Sequence, residues 1–195
     1  RDQAEDFDTR IDILRTRIKD SDDLNVQDAV FDRRTLMDLY SLASKGVIDA
    51  LGGSVCTGKE ANIFRAKAGE RELALKIYRI STSNFNSMQD YLHGDPRFGS
   101  VKGTKRAVVC AWTRKEFRNL MRAEEMGVAV PHPVAMKENI LVMELVCSGD
   151  EVAPPLKDVQ LESEEAKRIY DKIAEYISLL QTVSMIPGIL GILSL

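Results

Sequence analysis

Cysteine and histidine are scarce in this chain. Among 195 residues there are three cysteines, Cys56, Cys110 and Cys147, and two histidines, His93 and His132. The cysteines lie far apart and form no C-x-x-C, so metal-site spacing is absent and a reducing, cytoplasmic setting is the expectation. An excess of positive charge is missing too: the formal net charge is −3, which argues against general coating of nucleic acid. Residues 1–30 are rich in Asp and Arg and have no apolar core, so no secretory signal is expected there. The one notably apolar stretch, Val183 to Leu195, is too short for a membrane span and contains Pro187 and Gly188, so no membrane partner is expected. What is present is ordinary for a globular protein, 44% hydrophobic and 29% charged residues, enough for one domain or two small lobes.

Periodicity divides the chain. Ile11, Leu14 and Ile18 recur at helical spacing in an acidic, weakly patterned N-terminal stretch. Thr35 to Lys45 is a firmer helix, with Leu36, Leu39, Tyr40 and Ala43 on one face and Gly46 placed to stop it. Strands are expected near 47–55, 60–67, 72–79, 132–137 and 140–146. A helix at about 113–126 begins with the capping-box pattern Thr113-Arg114-Lys115-Glu116 and ends before Gly127. Leu161 to Leu180 reads as another helix, with Ile169, Ile173, Tyr176, Ile177 and Leu180 on one side. Between the third strand and the middle helix, residues 81–111 form a long polar stretch with Gly94, Pro96, Gly99 and Gly103. Loops of that length are functional or mobile more often than neutral, and residues 84–110 are expected to move without a partner.

The most informative segment is Gly53-Ser54-Val55-Cys56-Thr57-Gly58-Lys59-Glu60. It meets the G-x-x-x-x-G-K spacing of a phosphate loop but places Glu60 where a metal-ligating hydroxyl belongs. A phosphate loop opens a helix, whereas here Glu60 to Ala66 alternates like a strand, turns at Lys67-Ala68-Gly69-Glu70, and returns as Leu73-Ala74-Leu75-Lys76-Ile77-Tyr78. A glycine-bearing loop between two strands, followed by a strand that carries Lys, is the layout of the protein-kinase nucleotide loop.

Lys76 shares a strand face with Ala74 and Tyr78. It is either a solvated lysine on an edge strand or a ligand of the α/β-phosphates, and the glycine loop one hairpin upstream favours the second. Such a lysine needs a carboxylate partner on the following helix. Glu116 is the candidate, against the competing reading that it closes a capping box with Thr113; Glu124 and Glu125 are weaker alternatives. Asn139 to Val146 reads as a buried strand running into a turn. As the last strand before a kinase hinge, it would place Met143 as gatekeeper and the backbone of Glu144 and Val146 against adenine; as any core strand, it would do neither.

Residues 97–118 are locally basic through Arg97, Lys102, Lys105, Arg106, Arg114, Lys115 and Arg118. A solvated loop is the plainer reading, and contact with phosphate or ribosomal RNA the sharper one. Only Phe98 and Trp112 interleave, which supports base stacking poorly. His93-Gly94-Asp95 imitates a catalytic H-x-D but precedes the Glu116 helix and has Ser100 where a metal-binding Asn belongs, so it is set aside as catalytic.

Four segments together resemble the RIO atypical kinases. They are Val55 to Phe64, Leu75 to Tyr78, Tyr91 to Phe98 (Y-L-H-G-D-P-R-F) and Trp112 to Leu120 (W-T-R-K-E-F-R-N-L). The branch resembled is the first, whose loop reads S-T-G-K-E-A-N, and the likeness runs from about Phe31 to Leu180. It implies an α+β fold: N-terminal helices at 1–45, then a protein-kinase-like N-lobe at 46–146, made of an antiparallel sheet plus one helix and carrying a flexible loop at about 81–111. A hinge and the start of a helical C-lobe would follow at 147–195. It implies ATP with Mg2+, serine/threonine phosphorylation or an ATPase switch in maturation of the small ribosomal subunit, and nucleotide contacts from Cys56, Thr57, Gly58, Lys59, Lys76, Met143, Glu144 and Val146. Lys76 and Glu116 would form a supporting pair, and Ser100 or Thr104 would be candidates for autophosphorylation.

Cys56 stands where the family loop has Ser, which removes a hydroxyl near the phosphates and is expected to weaken nucleotide binding without abolishing it. After Leu180 the family has H-x-D-L-S-x-x-N and D-x-G segments, whereas this sequence continues as Gln181 to Leu195 with no residue for the catalytic Asp or the metal ligands. Nucleotide binding without phosphate transfer is therefore the expectation for the chain as written. The reading from another class is a non-catalytic docking module that holds pre-ribosomal RNA or protein through the basic loop.

Overall fold

The computed structural model describes residues 31–80, 104–149 and 151–181. In chain order they form α1 (Arg33–Ser44), β1 (Ala50–Thr57), β2 (Ala61–Ala68), β3 (Arg71–Tyr78), α2 (Lys105–Glu125), β4 (Pro133–Lys137) and β5 (Ile140–Glu144). Two short strands, β6 (Cys147–Ser148) and β7 (Glu151–Val152), and α3 (Ser163–Gln181) complete them. The described residues gather into two compact units. One holds those up to Arg114 together with Val134–Leu145, and the other holds Lys115–Pro133 and those from Val146 onward. No helix among the described residues is long and apolar enough to cross a membrane.

The first unit is built on a sheet of order β1-β2-β3-β5-β4. The pairings β1–β2, β2–β3 and β3–β5 are antiparallel. Alternation along β3 sends Leu73, Leu75 and Ile77 to one face, where they pack with Phe64, Ala66, Ile140, Val142 and, from α1, Leu39 and Leu42. Burying a side chain of this size is worth about 1.5–3 kcal/mol, so this cluster is what holds α1 on the sheet. Helix α1 starts where Asp32 accepts a hydrogen bond from the Thr35 amide at 2.7 Å. It ends as expected at Gly46, whose φ of +68° lets its amide reach the Ala43 carbonyl while the Val47 amide reaches that of Leu42.

The opposite face of β3 carries Ala74, Lys76 and Tyr78. Tyr78 packs with Val108, Val109 and Ala111 of α2. Here the expected boundaries need correction. Helix α2 starts at Lys105, not near 113, and its capping hydroxyl belongs to Thr104, which accepts from the Ala107 amide at 3.4 Å. Thr113 is fully buried within the helix and donates to the Val109 carbonyl at 3.0 Å, so Thr113-x-x-Glu116 is not a capping box. The long loop is shorter than expected at its far end for the same reason: residues 105–111 are helical, and burial of Val108 and Val109 against Tyr78 stabilises the extra turns. Strand β1 runs to Thr57 with two register shifts, and β5 stops at Glu144, before Val146.

In the second unit α2 ends at Gly127 through the same pair of bonds seen at Gly46, from Gly127 to Glu124 and from Val128 to Ala123. Helix α3 half-buries Ile169, Ile173, Tyr176 and Ile177 and buries Leu180, the face that periodicity assigned to it. Ile11, Leu14 and Ile18, the His93-Gly94-Asp95 triplet, Ser100 and the Val183–Leu195 tail lie outside the described residues.

Candidate nucleotide-binding face

The turn between β1 and β2 consists of Gly58, Lys59 and Glu60, closed by a hydrogen bond from the Gly58 amide to the Ala61 carbonyl at 2.9 Å. It leads into a strand, not a helix, which separates it from a phosphate loop. A Cβ added at Gly58 would sit 3.0 Å from that same carbonyl oxygen, so the turn takes this close form because the residue is glycine. Its base is tied by side chains. Thr57 Oγ1 lies 3.3 Å from Ser54 Oγ and accepts from Asn62 Nδ2 at 3.5 Å. Arg79 donates through Nε to Asn62 Oδ1 at 2.8 Å and through its amide to the Glu60 carbonyl at 2.8 Å. Cys56, Thr57, Gly58 and Lys59 are all exposed.

Register brings Lys76 to this loop's own face of the sheet. Cys56 pairs with Ile63, Ile63 with Lys76, and Lys76 with Leu141, one row across four strands. Directly opposed residues share a face, so these four side chains lie on one side. With strands about 4.8 Å apart, Cys56 and Lys76 stand roughly 10 Å from each other. Ala74 pairs with Met143 in the next row on that face. Lys76 is half-buried among these apolar neighbours, with its Nζ 5.3 Å from the Tyr78 ring centroid. Its strand has a partner on each side, which removes the reading of Lys76 as a solvated residue on an edge strand.

Of the residues singled out from sequence, Cys56, Thr57, Lys76, Met143 and Glu144 belong to one sheet, and Gly58 and Lys59 lie in the turn that joins two of its strands. Glu144 is exposed at the end of β5, and the following amide, Leu145, donates to the Glu72 carbonyl at 3.2 Å. Glu116 and Val146 belong to the other unit. Glu116 lies in the middle of α2 at 7% exposure, and Val146 is 50% exposed with its carbonyl accepting from the Ala153 amide. Ile63 and Leu141 line the Lys76 face and Arg79 braces the loop, yet none was singled out from sequence. Alternation from Lys76 reaches only Ala74 and Tyr78, because neighbours across a sheet are set by register. Among the described residues no group of three or more His, Cys, Asp or Glu is placed to hold a metal ion.

Comparison with known proteins identifies the family. The RIO domain family profile matches residues 62–190. The chain is 45% identical over 182 residues to the RIO-type serine/threonine-protein kinase Rio1 of Haloferax volcanii, covering 93% of this chain and 62% of the relative. It is 37% identical over 164 residues to the human serine/threonine-protein kinase RIO1, covering 83% of this chain and 29% of that protein. The chain therefore spans less than two thirds of the length of these relatives. In fold it is similar to the Rio2 kinase of Chaetomium thermophilum, solved with ADP and Mg2+ as a phosphoaspartate complex: TM-score 0.53, 23% identity, 72% of this chain and 39% of that one. With the profile matching well over half of its residues, the chain belongs to the RIO domain family.

Proposed function

We propose that this chain carries the ATP-binding lobe of a RIO-type serine/threonine protein kinase that works in maturation of the small ribosomal subunit. The observation that carries the reading is the row Cys56–Ile63–Lys76, which sets a lysine and a glycine hairpin on one apolar face. A nucleotide suits that combination. Ile63, Ala74, Met143 and Leu141 offer an apolar surface to a base, Lys76 offers a cation to the α/β-phosphates, and Gly58 keeps side-chain bulk out of the loop. Adenine would be read by the backbone at the end of β5, where Glu144 lies. Glu116, in mid-helix and not needed as a cap, lies in the other unit, so the reading rests on Lys76 and the loop. Mg2+ would arrive on the phosphates and neutralise their charge; the described residues provide no cluster of their own for it, and no step is routed through it. Protein substrate or self-phosphorylation fits the family, with Thr104 exposed at the start of α2 as the describable candidate.

Lys76→Ala tests the reading. Calorimetry should show at least a tenfold loss of Mg-ATP affinity, with circular dichroism and melting temperature unchanged. Equal affinity would remove Lys76 from the phosphates. A non-catalytic docking role has narrower support: Arg114, Arg118 and Arg122 are exposed at successive turns of α2, a row suited to a polyanion. That role predicts no measurable Mg-ATP binding by the unmodified chain.

A further inference from the structure

The β4–β5 turn is made of Glu138 and Asn139 and is tighter than its residues favour, since Glu138 adopts φ of +51°. Non-glycine residues hold that conformation when their surroundings over-determine it. Here the surroundings are the contacts of Asn139, which is fully buried. Its side chain donates through Nδ2 to the Tyr78 carbonyl at 2.8 Å, and its own carbonyl accepts from the Tyr78 amide at 3.0 Å. Both backbone groups of Tyr78, two residues beyond Lys76, are thereby held by one residue. Thr35 Oγ1 of α1 lies 3.3 Å from both Oδ1 and Nδ2 of Asn139, donating to the first and accepting from the second. From the first turn of α2, Arg106 donates through Nη1 to Asn139 Oδ1 at 3.4 Å and through Nη2 to both Asp32 oxygens at 2.9 and 3.0 Å. Asp32 closes the ring by capping α1 at Thr35.

We propose that Asn139 and Arg106 are positioning residues for the nucleotide face, clamping the end of β3 and the first turn of α2 to α1. Neither touches the proposed ligand. The chain of contact runs from Asp32 through Arg106 and Asn139 to the Tyr78 backbone, and the Tyr78 ring sits on the same face as the Lys76 ammonium. Apolar packing of α2 on the Tyr78 ring is non-directional, whereas the bonds from Arg106 to Asn139 and Asp32 fix where the first turn of α2 sits against the end of β3. Helix α1, which supplies none of the residues placed on the nucleotide face, thereby acquires a part in setting where the phosphate-binding lysine stands. Asp32 stays charged within the ring. Burial works to raise its pKa, but hydrogen bonds from Thr35 and Arg106 outweigh it and hold the carboxyl below its ordinary value.

The inference rests on the nucleotide reading, and its test separates the two. Asn139→Asp preserves shape and both acceptor contacts but sets a carboxylate oxygen against the Tyr78 carbonyl. Arg106→Gln cuts the ion pair at the rim of the ring and serves should Asn139→Asp fail to fold; Arg106→Lys restores the charge. Mg-ATP dissociation constants are measured by calorimetry well below each melting temperature, together with amide exchange at Lys76 and Tyr78 in nucleotide-free protein. Folded Asn139→Asp and Arg106→Gln are each expected to lose affinity by fivefold or more and to exchange faster at these two amides, with part of the loss recovered in Arg106→Lys. A merely structural role would lower the melting temperature and leave the dissociation constant alone. Folded variants with unchanged affinity overturn the clamp, whereas an unmodified chain that fails to bind Mg-ATP overturns the nucleotide reading itself.

Discussion

Replacing Gly58 by Ala puts the loop geometry to a quantitative test. The new Cβ would stand 3.0 Å from the Ala61 carbonyl oxygen, a backbone atom that cannot swing aside, so it must retreat by a few tenths of an ångström. That same oxygen accepts the Gly58 amide at 2.9 Å, and the retreat takes the bond toward the long end of the usual range, about 3.2 Å. A hydrogen bond of this kind is worth a net ~0.5–1.5 kcal/mol, so the closed loop should lose about 1 kcal/mol. If the closed loop is the one that binds nucleotide, that cost reappears in the dissociation constant as roughly a fivefold weakening. Gly69→Ala is the matched control. Gly69 has φ of +60° and open space around it, so an alanine there costs left-handed strain of about 1–2 kcal/mol at a different turn. Both variants should melt lower, by roughly 2–4 °C for each kcal/mol in a chain of this size. Only Gly58→Ala should weaken Mg-ATP binding in calorimetry. Equal affinities in the two variants, or an equal loss in both, would refute the assignment of the loop.

Two further outcomes follow from buried titratable groups. Asp38 is buried and its Oδ2 has no hydrogen-bond partner among the described residues; burial raises its pKa, and the charge of Glu138 raises it further. A native carboxyl with a raised pKa keeps a proton that the unfolded chain releases, so stability falls as pH climbs from the ordinary carboxylate value through the native one, and the penalty is fully present at neutral pH. Asp38→Asn should therefore raise the melting temperature at pH 7 and flatten its fall between acid and neutral pH; a lower value at pH 7 would contradict this. For the thiols, Cys56 is exposed, Cys147 half-buried and Cys110 buried. Burial, the bond from Cys110 to Glu138 and the charge of that carboxylate push the Cys110 thiol up to about 12. A maleimide should label Cys56 first, more slowly with Mg-ATP present, and Cys110 only on unfolding. Labelling of Cys110 at the rate of Cys56 in folded protein would sink the placement.

Much of the candidate site was legible as local structure because its signals are local. The turn at Gly58, the alternation that marks Lys76, and the stop at Gly46 each depend on residues within a few positions of one another. The misreading of α2 was local as well. Thr113-x-x-Glu116 is a sound capping pattern, and Thr104 is an equally competent cap nine residues earlier. Choosing between them required knowing that Val108 and Val109 bury against Tyr78, a strand residue thirty positions away. Sequence had no means to weigh that contact.

By itself, then, the chain determined the kinds of element, the glycine-bearing turn between two strands, and the lysine one hairpin later, since dihedral preference and side-chain period act over neighbouring residues. Tertiary structure decided the row that aligns Cys56, Ile63, Lys76 and Leu141, the true start of α2, and the ring of Asp32, Thr35, Arg106 and Asn139. Two links of that ring join residues 74 and 104 positions apart. Such pairs are neighbours only where the hydrophobic face of the sheet packs on α1, because a buried polar contact needs packing that excludes water and places both partners.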